Sequence, residues 1–200
     1  MRARLIAFIV GGFLIGALAG AAILLVTTPQ GDQPVQSSGT ALVGGPFSLV
    51  GTDGKTVTDR DFRGRYMLIF FGFTHCPDIC PAELQVIAQA LDKLGDKGKT
   101  VVPVFITLDP ERDTPQVMAE YVKSFGPNFV GLTGSPEAIA AAAKAYRVAY
   151  AKVENKDSAS DYSVDHSALA YLMDPEGRYV THFSYGTSAE EMAEKLGQML

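Results

Sequence analysis

Positions 66–73 read Tyr-Met-Leu-Ile-Phe-Phe-Gly-Phe, a run with one phenol and no other polar side chain, and it stops at Thr74-His75-Cys76-Pro77. A strand that is apolar at every position, and not at every second one, must be buried on both faces. A sheet achieves this when helices cover both of its sides. The run therefore predicts an α/β fold with this strand at its centre. Pro81 suits the first turn of a helix, and Leu84, Ile87, Leu91 and Leu94 continue at helical spacing. The chain thus passes from the end of a buried strand, through a cysteine, into a helix N-terminus. Open α/β sheets bind their ligands at that place, beyond the carboxyl ends of the strands.

The rest of the chain extends the pattern. Residues 47–50 and 56–58 read as a hairpin around Thr52-Asp53-Gly54. Residues 101–108 (VVPVFITL) form a second buried strand. Pro103 cannot donate a ladder hydrogen bond, so the well-paired part is expected from Val104. A helix over 114–125 has Asp113 or Thr114 as its N-cap and Pro115 at its first position. Residues 128–132 are a short strand, and a helix runs from Ser135-Pro136 through Tyr146. Residues 148–153 lead into a polar loop at 154–161 that is expected to be mobile. A hairpin of 167–173 and 179–183 turns at Asp174-Pro175-Glu176-Gly177, and a helix over 188–200, capped by Ser188, closes the chain. This order predicts an α/β, thioredoxin-like fold with an N-terminal β-hairpin and insertions. Phe71, Phe73 and Phe105 belong to its core. Gly72 marks either a close backbone approach or a relief of crowding.

Ahead of this domain, residues 5–26 carry no charged side chain. As a helix they would be about 33 Å long, enough to cross a bilayer core, so one transmembrane helix is expected before the fold. Arg2 and Arg4 precede the run, whereas 27–45 hold one Asp and neither Lys nor Arg. The positive-inside rule then assigns 1–4 to the cytoplasm, 5–26 to a membrane anchor, 27–45 to a flexible tether and 46–200 to the folded domain. That is a single pass through a bacterial inner membrane, with the domain on the periplasmic side. Ala17-Leu18-Ala19 resembles a signal-peptidase site, but the apolar run continues well beyond it. Either reading leaves the domain outside the cytoplasm. Lys and Arg total 17 against 22 Asp and Glu, a net charge of −5, with Arg2 and Arg4 among the basic residues. That balance argues against nucleic acid as a partner.

The chain has two cysteines, Cys76 and Cys80. In an extracytoplasmic protein with no others, they read as a dedicated thiol pair. Spaced i and i+4, they share one helix face, or in a looser loop they close a disulfide. A helix N-terminus favours the thiolate. Thiolates select soft metals such as Cu(I) or zinc, and two are too few for an ordinary iron–sulfur cluster. A third donor comes from three histidines. His75 adjoins Cys76 with an unsuitable backbone direction, and His182 falls in a late strand with a surface or packing role. His166 lies at the end of the polar loop, in a segment that faces the cysteines in a thioredoxin arrangement. A Cys76, Cys80, His166 site leaves room for exchange of the metal. Asp78 and Asp165 either orient those ligands or are solvated loop carboxylates. A thiol peroxidase would need an arginine nearby, and Arg112 is the candidate. A plain stabilising disulfide leaves Asp165-His166-Ser167 unexplained.

At these residues the chain resembles a known family. Phe70-Phe71-Gly72-Phe73-Thr74-His75-Cys76-Pro77-Asp78-Ile79-Cys80-Pro81 is similar to the signature of the Sco/SenC copper chaperones for cytochrome c oxidase. The stretch 105–115 (FITLDPERDTP) and Asp165-His166-Ser167 with 171–177 (YLMDPEG) resemble its second and third motifs. The resemblance implies a copper ion bound by Cys76, Cys80 and His166. It also implies an upstream copper donor, and delivery to the Cu(A) centre of cytochrome c oxidase subunit II or reduction of that subunit's cysteines. The competing activity is thus a thiol–disulfide oxidoreductase acting through Cys76 and Cys80.

Overall fold

The structure, a computed structural model, describes residues 43–154 and 162–200. The expected anchor at 5–26 and nearly all of the tether lie outside the described residues. Among those described, no helix is long and apolar enough to cross a membrane.

Among the described residues nine strands and four α-helices follow one another. They are β1 (Ser48–Gly51), β2 (Thr56–Thr58), β3 (Tyr66–Gly72), α1 (Ile79–Lys93), β4 (Val101–Thr107), α2 (Pro115–Lys123), β5 (Val130–Thr133), α3 (Pro136–Ala145), β6 (Tyr150–Glu154), β7 (Tyr162–His166), β8 (Leu169–Met173), β9 (Tyr179–Ser184) and α4 (Ala189–Met199). Seven strands form one sheet in the order β2-β1-β5-β4-β3-β8-β9, with β3, β4 and β5 parallel and the remaining neighbours antiparallel. The apolar run forms β3, between β4 and β8, and Leu68 through Phe71 are wholly buried. Alternation sends its side chains to two different helical layers. Phe70 stacks beside Phe105, which meets Tyr121 of α2. On the other face Phe71 meets Tyr171 and Tyr146, at the end of α3. Each such ring or aliphatic chain taken out of water stabilises the fold by about 1.5–3 kcal/mol.

Two expectations need correction. Pro103 lies inside a strand that pairs with β3 from Val101 onward. On its other flank the ladder with β5 begins only at Val104 opposite Val130, so a missing N–H costs little there. Second, while the polar loop expected at 154–161 lies, apart from Glu154, outside the described residues, residues 150–154 and 162–166 are both strands. They pair with each other as a separate two-stranded sheet, Tyr150 opposite His166. Tyr162, Val164 and His166 alternate at period two, but the charged residues around them and the polar stretch between the strands mask that signal.

Thr114, Ser135 and Ser188 cap α2, α3 and α4, each accepting a backbone N–H two or three residues into its helix. Pro115 and Pro136 fill the first position of their helices, as the sequence implies.

Candidate metal centre

β3 ends at Gly72, whose carbonyl accepts the Leu108 N–H at 2.7 Å. The chain turns through Phe73-Thr74-His75, with the Cys76 N–H donating to the Phe73 carbonyl, and enters α1 at Ile79. Cys76 stands half-buried before the helix and Cys80 is fully buried in its first turn; both thiols are free. The Cys80 N–H donates to the Cys76 sulfur at 3.4 Å, so the helix N-terminus holds one sulfur directly. A Cβ at Gly72 would lie 2.6 Å from Cys80 Sγ and 2.9 Å from the Phe105 ring. Of the two readings of Gly72, close approach is the one that holds.

His166 ends β7 with its Nε2 3.5 Å from Cys80 Sγ. Its Nδ1 is 3.2 Å from the Ser167 carbonyl, which turns Nε2 toward the sulfur. Phe70 and Phe73 meet the imidazole edge-on, each 6.1 Å away between centroids. Cys76, Cys80 and His166 are thus brought together. Cys76 and His166 share the wall of a cleft of about 340 Å3 with Phe73, Pro77, Ile79 and Val164. Among the described residues no three His, Cys, Asp or Glu side chains already form a closed metal cage, so a metal would have to draw these donors inward. His75 is exposed beside Thr74, and His182 sits on the outer strand β9 against the Tyr179 hydroxyl.

The two thiols differ in acidity. A hydrogen bond from the Cys80 thiol pulls Cys76 down to about 4, helped by His166 and by the backbone N–H groups of Cys80 and Asp78 against the opposing effect of burial. Cys80 is pushed far up, first because its proton is engaged by Cys76 and then by burial. The pair therefore holds one thiolate, at the more exposed sulfur, and one thiol. Two sulfurs and an imidazole nitrogen are a soft, three-donor set that fits Cu(I).

Several supporting residues escape sequence reasoning. Asp113 is not the helix cap; Thr114 takes that role, its hydroxyl accepting the Val117 N–H. Asp113 is fully buried and accepts the Thr74 N–H at 3.0 Å, the Thr74 hydroxyl at 2.5 Å and the Thr107 hydroxyl at 2.6 Å, so it pins the cysteine turn. Asp109, also fully buried, accepts from Arg112 and from the Tyr162 hydroxyl. Arg112, the arginine a peroxidase would call on, bonds to Asp109, and its guanidinium lies 3.8 Å from the Tyr162 ring centroid and 5.9 Å from that of Phe73. The carboxylates proposed to orient ligands, Asp78 and Asp165, are exposed. The signal for the buried pair was a second short motif, Asp109 and Asp113 spaced by four after a buried strand.

Comparison with known proteins agrees with the geometry. The SCO1/SenC family model matches residues 35–200. A mitochondrial SCO1 homolog 1 of Arabidopsis thaliana is 51% identical over 159 residues, 79% of this chain and 47% of that protein. The chain thus spans about half the length of that curated relative. The crystal structure of Arabidopsis thaliana ScoI with copper bound superposes with a TM-score of 0.75 at 50% identity, covering 78% of this chain and 96% of that one. The copper-bound ScoI of Bradyrhizobium japonicum superposes at 0.72 and 47% identity, covering 79% and 99%. The domain is thioredoxin-like, as those structures are.

Proposed function

The chain belongs to the SCO1/SenC family, and from that premise we propose that it is a copper metallochaperone whose domain, residues 46–200, carries copper on Cys76, Cys80 and His166 for assembly of cytochrome c oxidase. The observation that supports this reading best is His166 Nε2 at 3.5 Å from Cys80 Sγ, beside a second sulfur bonded to a helix N-terminus. Homologous proteins in the same fold hold copper. Copper here is cargo, and three donors leave a coordination position open to an incoming ligand.

The residues prepare that exchange. Cys76 already offers a thiolate, so only the Cys80 proton must leave, to solvent, when copper enters. Oxidation of the pair to a disulfide would withdraw both sulfur donors and switch binding off. The recipient is the Cu(A) centre of oxidase subunit II, and the protein is loaded by an upstream copper donor. Residues 5–26 anchor it in the bacterial inner membrane, with the domain on the outer side.

A second reading is favoured by one observation, the division of the pair into a half-buried low-pKa sulfur and a fully buried thiol. Cys76 would attack a disulfide in the partner and release one of its thiolates. Cys80 would then displace the mixed disulfide, leaving both partner cysteines reduced and this pair oxidised. Titration of the reduced full-length protein with Cu(I) against a competing chelator separates the readings. One equivalent should bind tightly, and His166→Ala should weaken it by about tenfold or more, the effect of losing about 1.4 kcal/mol. Unchanged stoichiometry, affinity and spectrum in that variant would remove His166 from the site. Rapid reduction of a partner disulfide without copper retention would favour the oxidoreductase.

A further inference from the structure

His166 reaches the sulfurs from an element that shares no ladder with the main sheet. Among the described residues β7 pairs only with β6, and neither joins the seven-stranded sheet whose β3 leads into the cysteine turn. On one side the imidazole is held by the short link Ser167-Ala168 into β8, whose Ser167 N–H donates to the Ala149 carbonyl at 3.0 Å; the other side of β7 needs a hold of its own. At the opposite end of β7, four residues away, lies Tyr162. Its hydroxyl donates to Asp109 Oδ1 at 2.7 Å, and its carbonyl accepts from Arg112 Nη1 at 3.2 Å. Its ring lies 3.8 Å beneath the Arg112 guanidinium, with Lys152 Nζ 4.7 Å from the same centroid. Both partners are themselves fixed. Asp109 is fully buried, takes the Arg112 Nε–H, and its own N–H donates to Thr107 Oγ1 at 2.9 Å. Lys152 is tied to Glu111 at 2.7 Å. The same connection between β4 and α2 holds the cysteine turn through Asp113 and Thr74. One short segment thus braces both halves of the site.

Tyr162, Val164 and His166 share one face of β7. Val164 is buried between the two ends. The strand is held at Tyr162 and, about 13 Å further along at a rise of about 3.3 Å per residue, where His166 pairs with Tyr150 and leads into β8, so releasing the Tyr162 end lets the strand tilt about the His166 end and turn the imidazole. We propose that Tyr162 is a positioning residue for copper binding, its hydroxyl bond to Asp109 and its stack under Arg112 holding β7 so that His166 Nε2 stands at the sulfurs. The inference rests on His166 being a ligand, as proposed above.

A double-mutant cycle on the reduced full-length protein tests it, with Cu(I) affinity read by chelator competition. Tyr162→Phe keeps the ring and loses only the hydroxyl. It should weaken copper about tenfold, the size of one hydrogen bond to a charged group. In a His166→Ala background the same change should alter affinity by less than about twofold, because no imidazole is left to position. An equal loss in both backgrounds, or no loss in the first, overturns the proposal and leaves the ligand reading standing. His166→Ala that binds as tightly as the native chain overturns the ligand reading and this inference with it. If Tyr162→Phe fails to fold, Arg112→Lys takes its place in the cycle. It keeps the charge, loses the Nη1 bond and the planar stack, and is held to the same two outcomes.

Discussion

A sulfur drawn down to about 4 is a thiolate across the whole physiological range, and Cys76 owes that to the Cys80 thiol and the helix N-terminus. Alkylation of the reduced, metal-free protein by iodoacetamide should therefore proceed at one rate from pH 6 to pH 8, with modification at Cys76 alone. An unperturbed thiol would speed up by about 80-fold over that interval, given a pKa near 8.5. Mass-spectrometric timing of the adduct checks this, and a steep rise with pH would contradict it. At this scale the sequence is readable for residue types that chemistry makes rare. Two cysteines and three histidines left few ways to assemble a soft-metal site. It is unreadable for roles that depend on burial. Asp113 resembles a cap because caps and buried acceptors draw on the same side chain, and only the depth of Thr74 and Thr107 distinguishes them.

Where β3 hands over to α1, two elements approach more closely than a side chain at residue 72 would permit. Gly72→Ala should cost roughly 2–3 kcal/mol, since its methyl would meet Cys80 Sγ and the Phe105 ring, neither of which has free space. Urea unfolding of the reduced protein measures this, and a loss below about 0.5 kcal/mol would show that α1 can shift aside. The strands with continuous apolar runs and the helices with Ser or Thr caps were legible, because period and capping are local properties. β6 and β7 were not. Their partner is each other, and nothing in a five-residue segment carrying Lys152, Glu154 or Asp165 announces a pairing with a strand beyond a polar stretch. His166 was found by elimination among histidines, while the strand that carries it was not.

Among the described residues of the domain, one buried carboxyl oxygen has no partner. Glu83 sits in the core stripe of α1 with Cys80, Leu84 and Ile87, its Oε1 has no hydrogen-bond partner, and burial raises its pKa to about 7. The folded state then holds this proton more tightly than the unfolded chain does. Its contribution to stability is complete below the unfolded value near 4.5 and is lost as pH rises through about 7. Glu83→Gln should therefore gain on the native protein by on the order of 2–3 kcal/mol between pH 5 and pH 8, read as the difference between their unfolding curves at each pH. Parallel curves would mean that the carboxyl is hydrated. The order of strands in the large sheet follows from connectivity rules once the elements are known, but which elements join it and which stand apart does not. That separation has a biological reading. The two sulfurs, four residues apart, come together with the start of α1 alone, whereas the imidazole, 86 residues beyond Cys80, joins them only when the small sheet is seated. On the proposed copper-binding role, a chain folded only through α1 would offer a metal two sulfurs, and the complete domain three donors.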